Sequence, residues 1–247
     1  KLLVSPYANA EQITGQAINW LQKNHQSSFF LWIHYMDAHV PYYPPRKYLK
    51  KVSNKNISNE DKFLIYKTDE IVKKTGFSVD DMKKKYKRMT EILYNAEISY
   101  LDHYFGILCQ YLHEVNIYDD TNLLVTADHG EALFEHGSVG HHGYLFDELL
   151  RIPLIIKLAG IRGNQKMIHD QVELRDISPT IIEMFDMETE PGFQGRSLMK
   201  LMSQGKDPDH PKHVISAELH HNYRVRTAFN DPKKDYYKLV SCRTLRW

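Results

Sequence analysis

Residues 122–143 read NLLVTADHGEALFEHGSVGHHG, an apolar run that breaks into Asp-His-Gly and then into a stretch rich in histidine and glycine. The run 122–127 is expected to be a buried strand, because continuous apolar residues bounded by polar ones suit a strand covered on both faces. Asp128 and His129 then fall just past its carboxyl end, where open α/β sheets bind ligands. A carboxylate beside an imidazole offers a hard oxygen and a nitrogen to a divalent cation. Gly130 lets the backbone turn away at once. A capping aspartate next to a core histidine would read the same way. The following loop favours chemistry: His129, His136, His141 and His142 are four of the 14 histidines, interleaved with Gly130, Gly137, Gly140 and Gly143. Long loops between buried strands are usually functional. These histidines suit metal ligation, anion binding or proton donation to a leaving group.

Working outward, Phe29–Tyr35 (FFLWIHY) predicts a second strand buried on both faces, and 152–158 (IPLIIKL) a third. The first of these runs into Asp37-Ala38-His39-Val40-Pro41. If strands 29–35 and 122–127 share a sheet, His39 and Asp128 emerge on one edge, the convergence an active site needs. A surface-loop histidine is the equal alternative for His39. Ile13, Ala17, Ile18 and Leu21 predict an amphipathic helix over 10–23. Apolar residues from Tyr86 to Val115 recur every three or four positions, predicting a long helix. Residues 176–186 read as a short helix with Asp176 or Ser178 as its cap and Pro179 in its first turn. Alternation of strands and helices predicts an α/β fold with a mostly parallel sheet flanked by helices. The tail, with short apolar stretches at 213–218, 224–229 and 236–241, predicts a small antiparallel C-terminal sheet. His34 is expected in the core, and His103 and His113 on the long helix. His220 and His221 are expected in a turn. None of these five is assigned a role.

The chain has 247 residues, enough for one large α/β domain. Its 42% hydrophobic and 26% charged residues exclude a disordered or coiled-coil chain. A net charge of +1 supplies no global field for nucleic acid or an anionic membrane. No apolar run is long enough for a transmembrane segment. Charge is uneven locally: residues 46–88 hold fourteen basic residues against six acidic ones, a surplus of +8. A solvated helical insertion is the favoured reading of this stretch, and a docking surface for an anionic polymer the second. Cys109 and Cys242 form neither a disulfide framework nor a Cys-x-x-Cys zinc site. Lys1-Leu2-Leu3-Val4 has no initiator methionine, signal peptide or transit composition, so the sequence is expected to be a fragment or a processed chain.

The segments FFLWIHYMDAHVPYYPP, YNAEISYLDHYFGILCQYL, TNLLVTADHGEALFEHGSVGHHGYLFDELLRIPLII, DISPTIIEMF and GRSL, in this order across most of residues 10–200, resemble the sulfatase family of the alkaline-phosphatase-like superfamily. The resemblance implies that fold, with a partial catalytic domain over 1–210, including the Lys-rich 46–88 insertion, and a C-terminal sheet subdomain over 211–247. It implies Asp128 and His129 as ligands of a catalytic divalent cation, Ca2+ first, with Mn2+, Mg2+ and Zn2+ as alternatives. It implies His39 and His142 as catalytic residues that contact the sulfate, with His141 in place of His142 if the match slips by one. His136 falls at a family-like position of less defined role. A sulfated small molecule or glycan is the implied substrate, and an extracellular, periplasmic or lysosomal-like compartment the implied location.

One departure is large. Sulfatases carry Cys/Ser-x-Pro-x-Arg, whose first residue becomes formylglycine, the nucleophile. Neither Cys109 nor Cys242 fits that motif. The motif and the family's paired N-terminal aspartates are expected before Lys1, in the missing N-terminal part of the same protein. Residues 1–247 alone are therefore expected to be inactive, and to aggregate or pair with another chain. Two other readings stay open. One is a phosphonate or phosphodiester hydrolase, or a phosphoglycerol or phosphoethanolamine transferase, of the same superfamily. The other is a non-catalytic domain that binds an anionic glycan through 46–88.

Overall fold

The computed structural model of the chain describes residues 7–68, 78–136, 139–141, 145–163, 166–188, 191–205, 207, 213–220 and 237–244. They group into two compact units, one drawn from residues 1–125, 131–140 and 154–162, the other from 126–130, 141–153 and 163–247.

The first unit is built around one long helix. Helix α1 (Ala10–Asn24) starts at a reciprocal cap between Asn9 and Gln12 and buries Ala10, Thr14, Ala17 and Leu21, a single stripe at helical spacing. Helices α2 (Arg46–Val52) and α3 (Asn59–Tyr66) follow. Helix α4 (Val79–Glu114) runs for 36 residues. The Ser58 and Ser78 side chains accept the Asp61 and Asp81 N–H groups at the starts of α3 and α4, satisfying donors that the first turn leaves unpaired. Helices α1, α2 and α3 all pack on α4. Tyr86, Leu93, Ala96, Tyr100 and Leu108 of α4 are each 4% exposed or less. The Lys-rich stretch holds α2, α3 and the start of α4, with irregular backbone over 53–58, and residues 69–77 lie outside the described residues.

Phe29–Tyr35 differs from the expectation. It is no strand: no ladder pairs it among the described residues. Nor is it covered on both faces. Phe29, Leu31 and Ile33 pack against Ala17, Leu21, Leu108 and Leu112 of α1 and α4. Phe30 and Trp32, pointing the other way, are 60% and 74% exposed. His34 shares that exposed side, so it is not a core histidine. Alternation is what an extended segment produces when one layer of helices covers it. An apolar run reports extended backbone without saying how many faces are covered. The Tyr35 hydroxyl closes the segment against α1 by a 2.8 Å hydrogen bond to Thr14 Oγ1.

Strands β1 (Leu123–Thr126) and β4 (Leu154–Lys157) form a two-stranded sheet. Both are half-buried rather than buried, and Ile155 is 63% exposed. Between them, the expected loop contains a small antiparallel hairpin, β2 (Ala132–Leu133) against β3 (Val139–Gly140). Two-residue strands carry no alternation to read. Phe134 at the tip of β2 has φ +72° and no exposed surface, and its ring joins the core formed by Tyr42, Leu93 and Ala96. The Lys157 ammonium donates to the Asp119 and Thr121 carbonyls at 2.9 Å, tying β4 to the end of α4.

In the second unit, helix α5 (Asp147–Leu150) precedes β4. A 3₁₀ turn (Leu174–Asp176) leads into α6 (Ile177–Met184), and α7 (Met199–Gln204) packs on it. Pro179 sits in the first turn of α6, as expected. Asp176 occupies the cap position, but its side chain caps nothing in α6. Its carboxylate instead accepts the N–H groups of Glu173 at 2.8 Å and Arg196 at 2.9 Å. The tail forms the antiparallel pair β5 (His213–His220) and β6 (Tyr237–Thr244), with His213 opposite Thr244 and His220 opposite Tyr237. His220 therefore ends a strand rather than sitting in a turn. Residues 224–229 lie outside the described residues. Among the described residues, no helix is long and apolar enough to cross a membrane.

Candidate functional site

In the second unit, the chain leaves β1 and brings Asp128, His129 and His141 together. The His129 N–H donates to Asp128 Oδ1 at 3.0 Å, and His129 Nε2 lies 3.7 Å from the same oxygen. The His129 ring stacks on that of His141, with centroids 4.1 Å apart and 24° between planes. His129 Nδ1 lies 2.8 Å from the Gly130 carbonyl. A carbonyl only accepts, so Nδ1 carries a proton, which leaves Nε2 as the ligating nitrogen of the neutral ring. That is the tautomer a metal-ligating imidazole takes when a carbonyl orients it. The Asp128 side chain is 72% exposed, leaving its carboxylate accessible to a cation. A hard oxygen and an imidazole nitrogen side by side fit a divalent metal ion.

Gly130 makes this turn possible. Its N–H donates to Leu149 O at 2.8 Å. A Cβ at position 130 would lie 1.9 Å from the Glu148 carbonyl oxygen. The close approach of two backbones, rather than conformational freedom alone, demands glycine here.

In the first unit, His39 sits in the irregular segment after Tyr35. Its Nδ1 lies 2.6 Å from Val40 O, so it too carries its proton at Nδ1. Its ring meets that of Tyr7 edge-on at 6.2 Å. His136, beside the β2–β3 hairpin, is exposed. His142 lies outside the described residues.

The segment bearing His39 is held by residues that the sequence reading passed over. The Tyr42 hydroxyl donates to Glu131 Oε1 at 3.0 Å in the buried interior, and burial beside that carboxylate pushes the phenol well above its ordinary value. The Tyr43 N–H donates to Glu97 Oε1 at 2.6 Å. Glu97 is only 5% exposed. Its position four residues after Leu93 puts it on the core face of α4, so a charge on an apolar stripe was the signal. Burial pushes the Glu97 carboxyl up to about 7, opposed by the Tyr43 N–H and the Lys62 charge and assisted by nearby Asp37. Asp37 is itself raised by burial, while the Ala10 N–H bonds to its carboxylate and lowers it.

The raised Glu97 value has a sign that can be measured. The folded state holds the Glu97 proton more tightly than the unfolded chain. The cost of burying the ionised carboxylate is full above about pH 7 and disappears as pH falls through the ordinary glutamate range. Glu97→Gln is expected to gain stability relative to the wild type as pH rises from 5 to 8, by at most about 3 kcal/mol. Urea unfolding at both pH values checks this. A difference that stays constant, or grows toward pH 5, contradicts it.

Comparison with known proteins identifies the family. The family model described as Sulfatase matches residues 3–187. A multifunctional alkaline phosphatase superfamily protein, PehA, of Trinickia caryophylli is 34% identical over 67% of this chain and 30% of its own length. Human iduronate 2-sulfatase is 27% identical over 78% of this chain and 38% of its own length. The chain thus spans less than half the length of these relatives. The phosphonate monoester hydrolase of Agrobacterium radiobacter superposes with a TM-score of 0.68 at 18% identity, covering 90% of this chain and 48% of that one. A protein solved in complex with its substrate, D-glucosamine-2-N,6-O-disulfate, superposes with a TM-score of 0.63 at 18% identity, over 98% of this chain and 60% of that one. These likenesses give the chain the alkaline-phosphatase-like α/β fold. With the family match running through Asp-His-Gly at the end of β1, the chain belongs to the sulfatase family.

Proposed function

We propose that the protein carrying this chain hydrolyses sulfate esters, and that residues 1–210 supply the C-terminal part of its catalytic domain, with 211–247 as a separate sheet subdomain. Family membership supports the reaction class. The observation that carries the assignment to this site is the Asp128–His129 pair, with Nδ1 of His129 committed to Gly130 O. Asp128 Oδ and His129 Nε2 would hold a divalent cation, Ca2+ first. When bound, such an ion polarises sulfate oxygens and favours the ionised nucleophile. His39 donates its Nδ1–H to Val40 O, so in its doubly protonated form a second proton, at Nε2, can be donated to a sulfate oxygen or to the leaving alkoxide. His142 shares the sulfate, with His141 as the substitute. The nucleophile, a formylglycine made from Cys or Ser, is assigned to sequence outside 1–247, and the chain alone is inactive. The substrate is a sulfated small molecule or glycan. The location is extracellular, periplasmic or lysosomal-like, the first of these supported by the likeness to an extracellular sulfatase homologue of Drosophila melanogaster.

A second reading, hydrolysis of phosphonate or phosphate esters, is favoured by the likeness to PehA and to phosphonate monoester hydrolases. One experiment separates the two. The natural full-length protein is assayed on an aryl sulfate and an aryl phosphonate, before and after chelation, and its nucleophile peptide is read by mass spectrometry. Sulfate turnover is expected to vanish with chelator and return with a divalent cation. His39→Ala is expected to lower kcat roughly 10²-fold. Turnover of the phosphonate alone moves the assignment to the second reading, and sulfate turnover by isolated 1–247 overturns the placement of the nucleophile.

A further inference from the structure

Among the described residues no ladder holds the segment that carries His39, so its shape depends on side chains from elsewhere in the first unit. Two buried carboxylates take consecutive residues. Glu131 accepts the Tyr42 hydroxyl and Glu97 accepts the Tyr43 N–H. The Tyr42 ring also meets Tyr94 of α4 edge-on at 5.8 Å. The Lys62 ammonium of α3 lies over the Tyr43 ring, 5.3 Å from its centroid. The Lys62 charge also favours ionised Glu97.

Glu97 is an expensive way to build a helix face. Its helical neighbours Leu93, Ala96 and Tyr100 are all buried. Replacing a buried charge by an apolar residue of similar volume is often neutral or stabilising. The carboxylate is assigned no chemical step, yet it grips the main chain four residues after His39. We propose that Glu97 is a positioning residue: through the Tyr43 N–H it sets the place of His39, with Lys62 as its counter-charge. This rests on the reading of His39 as a sulfate-contacting residue. It also gives part of the Lys-rich stretch a task that neither a solvated insertion nor a polymer-docking surface would require.

The test compares Glu97→Leu, which fills the space without an acceptor, with Glu97→Gln, which keeps one. Both are made in the natural full-length protein. Glu97→Leu is expected to keep or raise the melting temperature while kcat falls roughly 10- to 100-fold, with KM changed less than about twofold. Glu97→Gln is expected to restore kcat to within about threefold of the wild type. The ring resonances of His39, assigned by selective histidine labelling, are expected to move in the Leu variant and stay in the Gln variant. Unchanged kcat and an unmoved His39 ring in Glu97→Leu overturn the proposal, as does a Gln variant as impaired as the Leu variant. If Glu97→Leu does not fold, the Gln variant together with Tyr43→Pro, which removes the donor, decides on the same resonances. If His39→Ala leaves kcat intact, the catalytic reading of His39 fails, while the ring resonances still report on positioning.

Discussion

Gly130→Ala is expected to destabilise the fold by roughly 4 kcal/mol or more, an effect confined to a few kinds of substitution. The new methyl group would lie 1.9 Å from the Glu148 carbonyl oxygen, 2.9 Å from its carbon and 3.1 Å from Leu149 Cα. All three are backbone atoms, so no side chain can swing aside. Relief requires the two backbones to separate, and that breaks the Gly130 N–H bond to Leu149 O. The same movement carries away the Gly130 carbonyl that fixes the His129 tautomer. Loss of stability and loss of histidine order therefore arrive together. Urea unfolding measures the first, and the nitrogen shifts of labelled His129 measure the second. A variant within about 1 kcal/mol of wild type, its His129 tautomer unchanged, contradicts the close approach.

Phe134→Ala is expected to cost roughly 3–5 kcal/mol, the range for removing a fully buried aromatic ring. Phe134 has no exposed surface and packs into the core with Tyr42, Leu93 and Ala96. It differs from an ordinary core residue in holding φ at +72°, where a side chain is strained and glycine is not. This predicts an inversion. At most sites glycine is worse than alanine, whereas Phe134→Gly should be no worse than Phe134→Ala. Chemical unfolding of the two variants side by side checks the order, and alanine more stable by about 1 kcal/mol contradicts the backbone conformation.

Patterns with a period were legible in the sequence. The spacing of Ala17 and Leu21 marked α1, and the recurrence from Tyr86 onward marked most of α4. The apolar run ending at Thr126 marked β1 and placed Asp128 and His129 just beyond it. What a period cannot convey is how many layers cover a segment. Phe29–Tyr35 is apolar throughout, yet one of its sides faces solvent. Asp176 looked like a helix cap because its type and place suit one, but the N–H groups it accepts come from Glu173 and from Arg196, twenty residues on. Glu97 showed only as a charge on an apolar stripe, and what it and Glu131 hold stayed hidden because their partners, Tyr43 and Tyr42, are distant in the chain.

That distance bears on the order in which the molecule assembles. The anchors of the His39 segment join residues 89 and 54 positions apart. Such closures form only after large loops have been drawn in, and they contribute nothing until both ends are in place. Helix α4 can form from local bonds, but the segment holding His39 takes its shape only once α4 and the β2–β3 hairpin have docked. On mild denaturation the same logic runs backwards. The histidine segment comes loose while the helices persist, so loss of function would precede loss of helical structure.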